Sequence, residues 1–185
     1  MRPRPLQSLS SERGAILIFV LLAVVFLFMI GGLAVDYAHL FLTDKEAEAA
    51  LDSAALAAAG KLGFSDSAFP TARQFAQVFA TKNPGHLGSI VLNANAGNAV
   101  PDLATQAAPY GDIVLGVWDP DKPEGVGAGR RFEPSLDGTI VNAVMCRYKT
   151  TIDTSLFRLW GINTMPVSAM SIATSNPPAN PPPDG

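Results

Sequence analysis

Residues 15–35, AILIFVLLAVVFLFMIGGLAV, form 21 positions without a charged or polar side chain. At 1.5 Å rise per residue such a helix covers about 32 Å, enough for a hydrocarbon core of about 30 Å. Fifteen of the residues are Leu, Ile, Val or Phe, each of which favours insertion by about 0.3–0.6 kcal/mol near the bilayer centre. A cleaved export signal has a shorter apolar stretch, roughly 7–15 residues, and a small-residue cleavage site. Here the run is longer and passes without a loop into Asp36, Tyr37 and His39. A retained membrane span over residues 14–36 is therefore expected.

The helical period persists beyond the span. Tyr37, Leu40, Phe41, Ala47, Leu51, Ala54, Ala55 and Ala58 recur on one side, with Asp44, Lys45, Glu48 and Asp52 mainly on the other. Alanine is the strongest helix former, and no proline stands between Ser11 and Gly60. Gly60, Lys61 and Gly63 supply a stop. Residues 37–60 thus read as an extracytoplasmic continuation of one rod about 70 Å long. Ala47, Ala50, Ala54, Ala55 and Ala58 let a neighbour approach closely, and two readings stay open: cover for the chain's own domain, or a face for sister subunits. Gly31 and Gly32 read as a hinge or as a small-residue contact between membrane helices. Asp36 reads as the first charge at headgroup level, with a specific partner as the alternative.

Downstream the pattern shortens. Pro70–Lys82 is helical, with Pro70 at its start and Ala72, Phe75, Ala76 and Phe79 on one face. Four strands are expected over Ser89–Asn93, Asp112–Asp119, Thr139–Lys149 and Pro166–Thr174, rich in Val and Ile and bounded by turn residues. The third alternates only loosely. Asp153 or Thr154 is placed to cap a short helix with Leu156, Phe157, Leu159 and Trp160, closed by Gly161. The turn-rich stretch 119–131 links strands as a hairpin or a longer excursion. Residues 176–185, NPPANPPPDG, are too rich in proline to pack and read as an extended tail. The fold class is α/β of the α+β kind: a long transmembrane helix leading into an exported domain over residues 61–175, with a small, mainly antiparallel sheet and packed helices.

Charge orients the span. Arg2, Arg4 and Arg13 precede it with only Glu12 against them, whereas Asp36, Asp44, Lys45, Glu46 and Glu48 follow. Positive residues stay inside, so residues 1–13 are expected in the cytoplasm and the remainder in the periplasm or outside the cell. The net charge of −3 provides no basic face for nucleic acid. The single cysteine, Cys146, permits no internal disulfide, so the exported domain must stand on packing.

Catalytic chemistry is not evident. His39 and His86 have no Cys or second His at ligand spacing. Cys146, mid-strand between Met145 and Arg147, reads as a small buried thiol rather than a nucleophile. Asp119, Asp121 and Glu124 lack the twelve-residue calcium-loop pattern and read as an exposed acidic turn. Gly125, Gly127 and Gly129 have no phosphate-binding frame around them, and Trp118 and Trp160 read as core or rim aromatics. No catalytic, cofactor or metal residue is expected. The residues singled out are candidates for the span and for helix packing: Gly14, Gly31, Gly32, Asp36, Tyr37, Ala47, Ala50, Ala54, Ala55 and Ala58.

Two sets of residues carry a family resemblance. Arg13-Gly14, the span, the exit Gly32-Leu33-Ala34-Val35-Asp36 and the run from Leu51 to Ala59 resemble the N-terminal region of TadG-like proteins of tight-adherence (Tad, Flp-type) pilus systems. GVWDPD at 116–121, VNAVMCRY at 141–148, SLFRLWGI at 155–162 and VSAMSIAT at 167–174 are similar to the C-terminal Tad-like domain in order and spacing. The resemblance implies a pilin-like, non-enzymatic component of an inner-membrane pilus-assembly machinery. It implies membrane lipid and other pilus-assembly proteins or pilins as partners, with self-association through the N-terminal helix. One departure matters: cleaved Flp-type pilins carry Glu five residues after the glycine, where this chain has Phe19, which argues for an uncut anchor. The metal-adhesion signature D-x-S-x-S is also missing. The competing readings are a membrane-tethered binding or adhesion module and an anchored enzyme whose nucleophile and base meet only in space.

Overall fold

The computed structural model describes residues 9–175 apart from 64, 86 and 87, with side chains described from Gly14 onward. The expectations for the N-terminal arginines, His86 and the proline-rich tail lie outside that range. Helix α1 (Leu9–Ala59) is a single helix of 51 residues, about 76 Å long. It is long and apolar enough to cross a membrane. Gly31 and Gly32 lie within it without interrupting it.

Two halves of α1 differ in what covers them. From Gly14 to Gly31 every residue is exposed; from Gly32 a buried stripe runs through Asp36, Thr43, Ala47, Ala50, Leu51, Ala54, Ala55, Ala58 and Ala59. These positions recur at helical spacing and face the rest of the chain. The stripe passes beside Tyr37 and Phe41, which are exposed, so the apolar face read from the sequence is rotated at its membrane end. The reason is that Gly32 and Asp36, not the aromatics, meet the domain.

Helix α2 (Phe69–Lys82) packs on α1 with Pro70 in its first turn. Its buried residues are Phe69, Ala72, Arg73, Ala76 and Ala80. Phe75 and Phe79 stack on each other at 6.3 Å on the outer flank, a correction to the predicted face. Alanines on both helices let them approach closely, and the bulky rings are displaced outward.

The sheet has the order β2-β1-β3-β4, with β1 Tyr110–Trp118, β2 Phe132–Pro134, β3 Ala143–Asp153 and β4 Thr164–Thr174, all pairs antiparallel. Ile113, Leu115, Val144, Cys146 and Tyr148 join the helix-side core, while Val114, Phe132, Ala143 and Met145 form a second cluster. Strand β3 is buried on both sides over most of its length, which explains its loose alternation. It starts at Ala143 rather than Thr139 and continues to Asp153. Strand β4 lies at the edge, where Pro166 is tolerated.

One strand expectation is corrected, and one strand appears that was not expected. Residues 89–93 bury Ile90 and Leu92 in alternation, but pair with the sheet only by one bridge from Asn93 to Asp112. Strand β2, three residues long, was too short to leave a periodic signal. The linking stretch 119–131 is a long excursion: Asp119 N–H bonds to Arg131 O at 2.9 Å, and Gly125, Gly127 and Gly129 all have positive φ.

Candidate functional site: the junction of the long helix and the β3–β4 hairpin

Ten residues, 154–163, join β3 to β4. Leu156 caps the 3-10 turn Phe157–Trp160 without a side-chain bond of its own, and Gly161, at φ 82°, ends it. The missing cap comes from α1. Asp36 Oδ1 accepts the Ser155 N–H at 2.9 Å; Oδ2 accepts the Leu156 and Phe157 N–H groups, both at 2.8 Å. A carboxylate serves three amide donors at the start of a helical turn, where orphan N–H groups favour negative charge. The predicted caps act otherwise. Thr154 closes the loop, its N–H bonding to Asn163 O at 3.0 Å and its hydroxyl donating to Ile162 O.

One helical turn below Asp36, Gly32 makes room for Leu156. A Cβ at Gly32 would lie 1.7 Å from Leu156 Cδ1, so any larger residue forces the leucine aside. Gly32 thus makes a close contact with this chain's own loop. Gly31 and Gly14 face open space, and Tyr37 is exposed. Asp36 has a specific partner, the three amides, rather than being only the first charge after the span.

The five alanines are at most 2% exposed. Ala47, Ala50, Ala54, Ala55 and Ala58 all lie in the chain's own core with the helix-side residues of the sheet. Of the two readings of this face, cover for the domain is the arrangement observed.

Elsewhere the polar groups serve the fold. Arg147 meets Asp112 in two hydrogen bonds, Nε to Oδ1 at 2.9 Å and Nη2 to Oδ2 at 2.6 Å, and its Nη1 donates to Pro101 O at 3.2 Å. The pair is buried, and the fork geometry and the added acceptor offset its desolvation. Lys149 Nζ ties the carbonyls of Leu103, Ala104 and Gln106 to β3. Cys146 is fully buried, and burial, with the Asp112 charge, pushes its thiol well above the usual range. A thiol held protonated and out of solvent is a poor nucleophile. Asp119 bonds within its own turn, Glu124 pairs with Arg131 at 3.2 Å and Lys122 with Glu133 at 2.9 Å. Among the described residues no three His, Cys, Asp or Glu side chains converge on one point.

Sequence reasoning picked out Asp36 and Gly32 but missed what binds them. Their spacing, four residues on one helix face, was visible; the loop that meets them lies some 120 residues away, with no local signal linking the two. Comparison with known families agrees with the two-part organisation. A model described as Flp pilus-assembly TadE/G-like matches residues 14–61. A second, described as Tad-like Flp pilus-assembly, matches residues 57–173. No curated protein and no solved structure matches the chain.

Proposed function

Because the chain belongs to the Tad-like Flp pilus-assembly family, we propose that it serves pilus assembly as a membrane-anchored, pilin-like subunit acting through packing and protein–protein contacts, without catalysis. The observation that carries this reading is the division of α1. From Gly14 to Gly31 it exposes an apolar surface, and its second half is built into the core of a folded head. A rod of this kind couples a bilayer to a domain with no flexible linker between them.

In this reading residues 14–36 span the inner membrane, residues 1–13 stay in the cytoplasm, and the head lies in the periplasm. The Arg2, Arg4 and Arg13 cluster supports that orientation. The partners are membrane lipid and other pilus-assembly proteins or pilins. Self-association, where it occurs, uses the exposed half of α1, because the alanine face is occupied.

The test is a detergent pull-down of the full-length chain from piliated cells, paired with protease treatment of intact cells and spheroplasts. Recovery of pilus-assembly proteins, and a head cleaved only in spheroplasts, is the expected result. A chain recovered alone, from cells whose pili survive its deletion while adhesion is lost, would overturn the proposal in favour of a tethered adhesion module.

A further inference from the structure

We infer that the loop 154–163 is a membrane-contacting foot, with Leu159, Trp160 and Ile162 seated in the headgroup–acyl boundary of the bilayer that α1 crosses. The inference rests on the reading of α1 as a span, and deepens it. Four observations support it.

The first is depth. Asp36 holds the backbone of residues 155–157 at the last turn of the apolar run, and Leu156 reaches Gly32, about 6 Å further toward the span. The loop therefore lies at the level where the helix leaves the bilayer, whichever way the span is oriented. The second is exposure. Leu159 is 76% exposed, Trp160 46% and Ile162 45%, although Trp160 also leans on Phe157 with ring centroids 6.5 Å apart. Clustered apolar exposure of this kind marks a contact surface.

The third is rigidity. Bonds from Gly161 N to Arg158 O at 3.0 Å, Ile162 N to Phe157 O at 3.2 Å and Thr154 N to Asn163 O at 3.0 Å close the loop on itself. With the backbone so closed, Leu159, Trp160 and Ile162 stay on the exposed side of the loop. The fourth is continuity. Leu156 joins Val24, Leu27, Phe28 and Val35 in lining one open apolar groove, so the surface of the span runs onto the loop without a polar break. Its residue types also suit the boundary: tryptophan is enriched at membrane interfaces, and the exposed Arg158 is suited to lipid phosphates. A bilayer around residues 14–36 fills this space with lipid.

Tryptophan fluorescence tests the assignment, since the chain has only Trp118 and Trp160. The full-length Trp118→Phe protein is reconstituted into phosphatidylcholine–phosphatidylglycerol vesicles, with and without lipids brominated near the carbonyl end of the acyl chains. Should Trp118→Phe not fold, the difference between wild type and Trp160→Phe reports the same signal. The expected result is loss of Trp160 emission to bromolipid and protection from aqueous iodide, both reversed by Leu159→Glu. Quenching by iodide alone would overturn the inference. So would protection from both quenchers, which would assign the patch to a contact with protein, here a second copy of the chain. Alkaline carbonate extraction of the same vesicles reads the span separately. A stripped protein defeats the reading of α1 and the inference with it; a retained protein with Trp160 in water defeats the foot alone.

Discussion

Asp36 is the residue on which the attachment of the β3–β4 hairpin to α1 turns. Among the described residues its carboxylate accepts from the Ser155, Leu156 and Phe157 amides, and replacing it removes the acceptor of three donors of one turn. Asp36→Ala is expected to open the loop while leaving the core intact. Trypsin cleavage after the exposed Arg158 should rise on the order of tenfold or more, since cleavage follows the population of the open form. Asp36→Asn keeps one oxygen acceptor and should fall between. Limited proteolysis in detergent reads the difference; equal cleavage rates in wild type and Asp36→Ala would show that the carboxylate does not hold the loop.

At the scale of elements, α1 is two helices of different purpose sharing one backbone. The buried half packs alanines against α2 and the sheet, leaving no room for larger side chains. Ala54, fully buried, is expected to reject leucine at a cost of about 1–3 kcal/mol through overpacking. Leu56, 64% exposed one turn-edge away, should accept glutamine within about 0.5 kcal/mol. Thermal unfolding followed by circular dichroism separates the two. A neutral Ala54→Leu that instead dissolved an oligomer would return the alanine face to the role of subunit contact. The same close packing accounts for α2, where Ala72, Ala76 and Ala80 face inward and the Phe75–Phe79 pair does not.

The whole molecule shows where its folding unit begins. The core draws on α1 from Ala47 onward, so a head cut at residue 61 loses Leu51 and six of the buried alanines with its main helix. A fragment of residues 61–175 is expected to show no cooperative unfolding transition. One of residues 37–175 should unfold cooperatively, though with a looser hairpin for want of Asp36. Differential scanning calorimetry distinguishes them, and a cooperative transition in the shorter fragment would place the core outside α1.

Much of this architecture was legible in the chain. The apolar run, its alanine continuation, α2 and the three longer strands follow from local hydrophobic period and turn residues, which act over a few neighbours. Strand β2 did not, because three residues are too few to show a period; residues 89–93 alternated as a strand does yet found only one bridge. The phase of the buried stripe on α1, the partner of Asp36 and the seat of Leu156 against Gly32 were decided by tertiary structure alone. The last two join positions about 120 residues apart, and nothing in the local pattern of either segment encodes the distance between them. Sequence by itself thus determined that an apolar rod leads into an α+β head. Only the packing decided that the rod belongs to the head's core and that the last turn of its apolar run holds the hairpin loop in place.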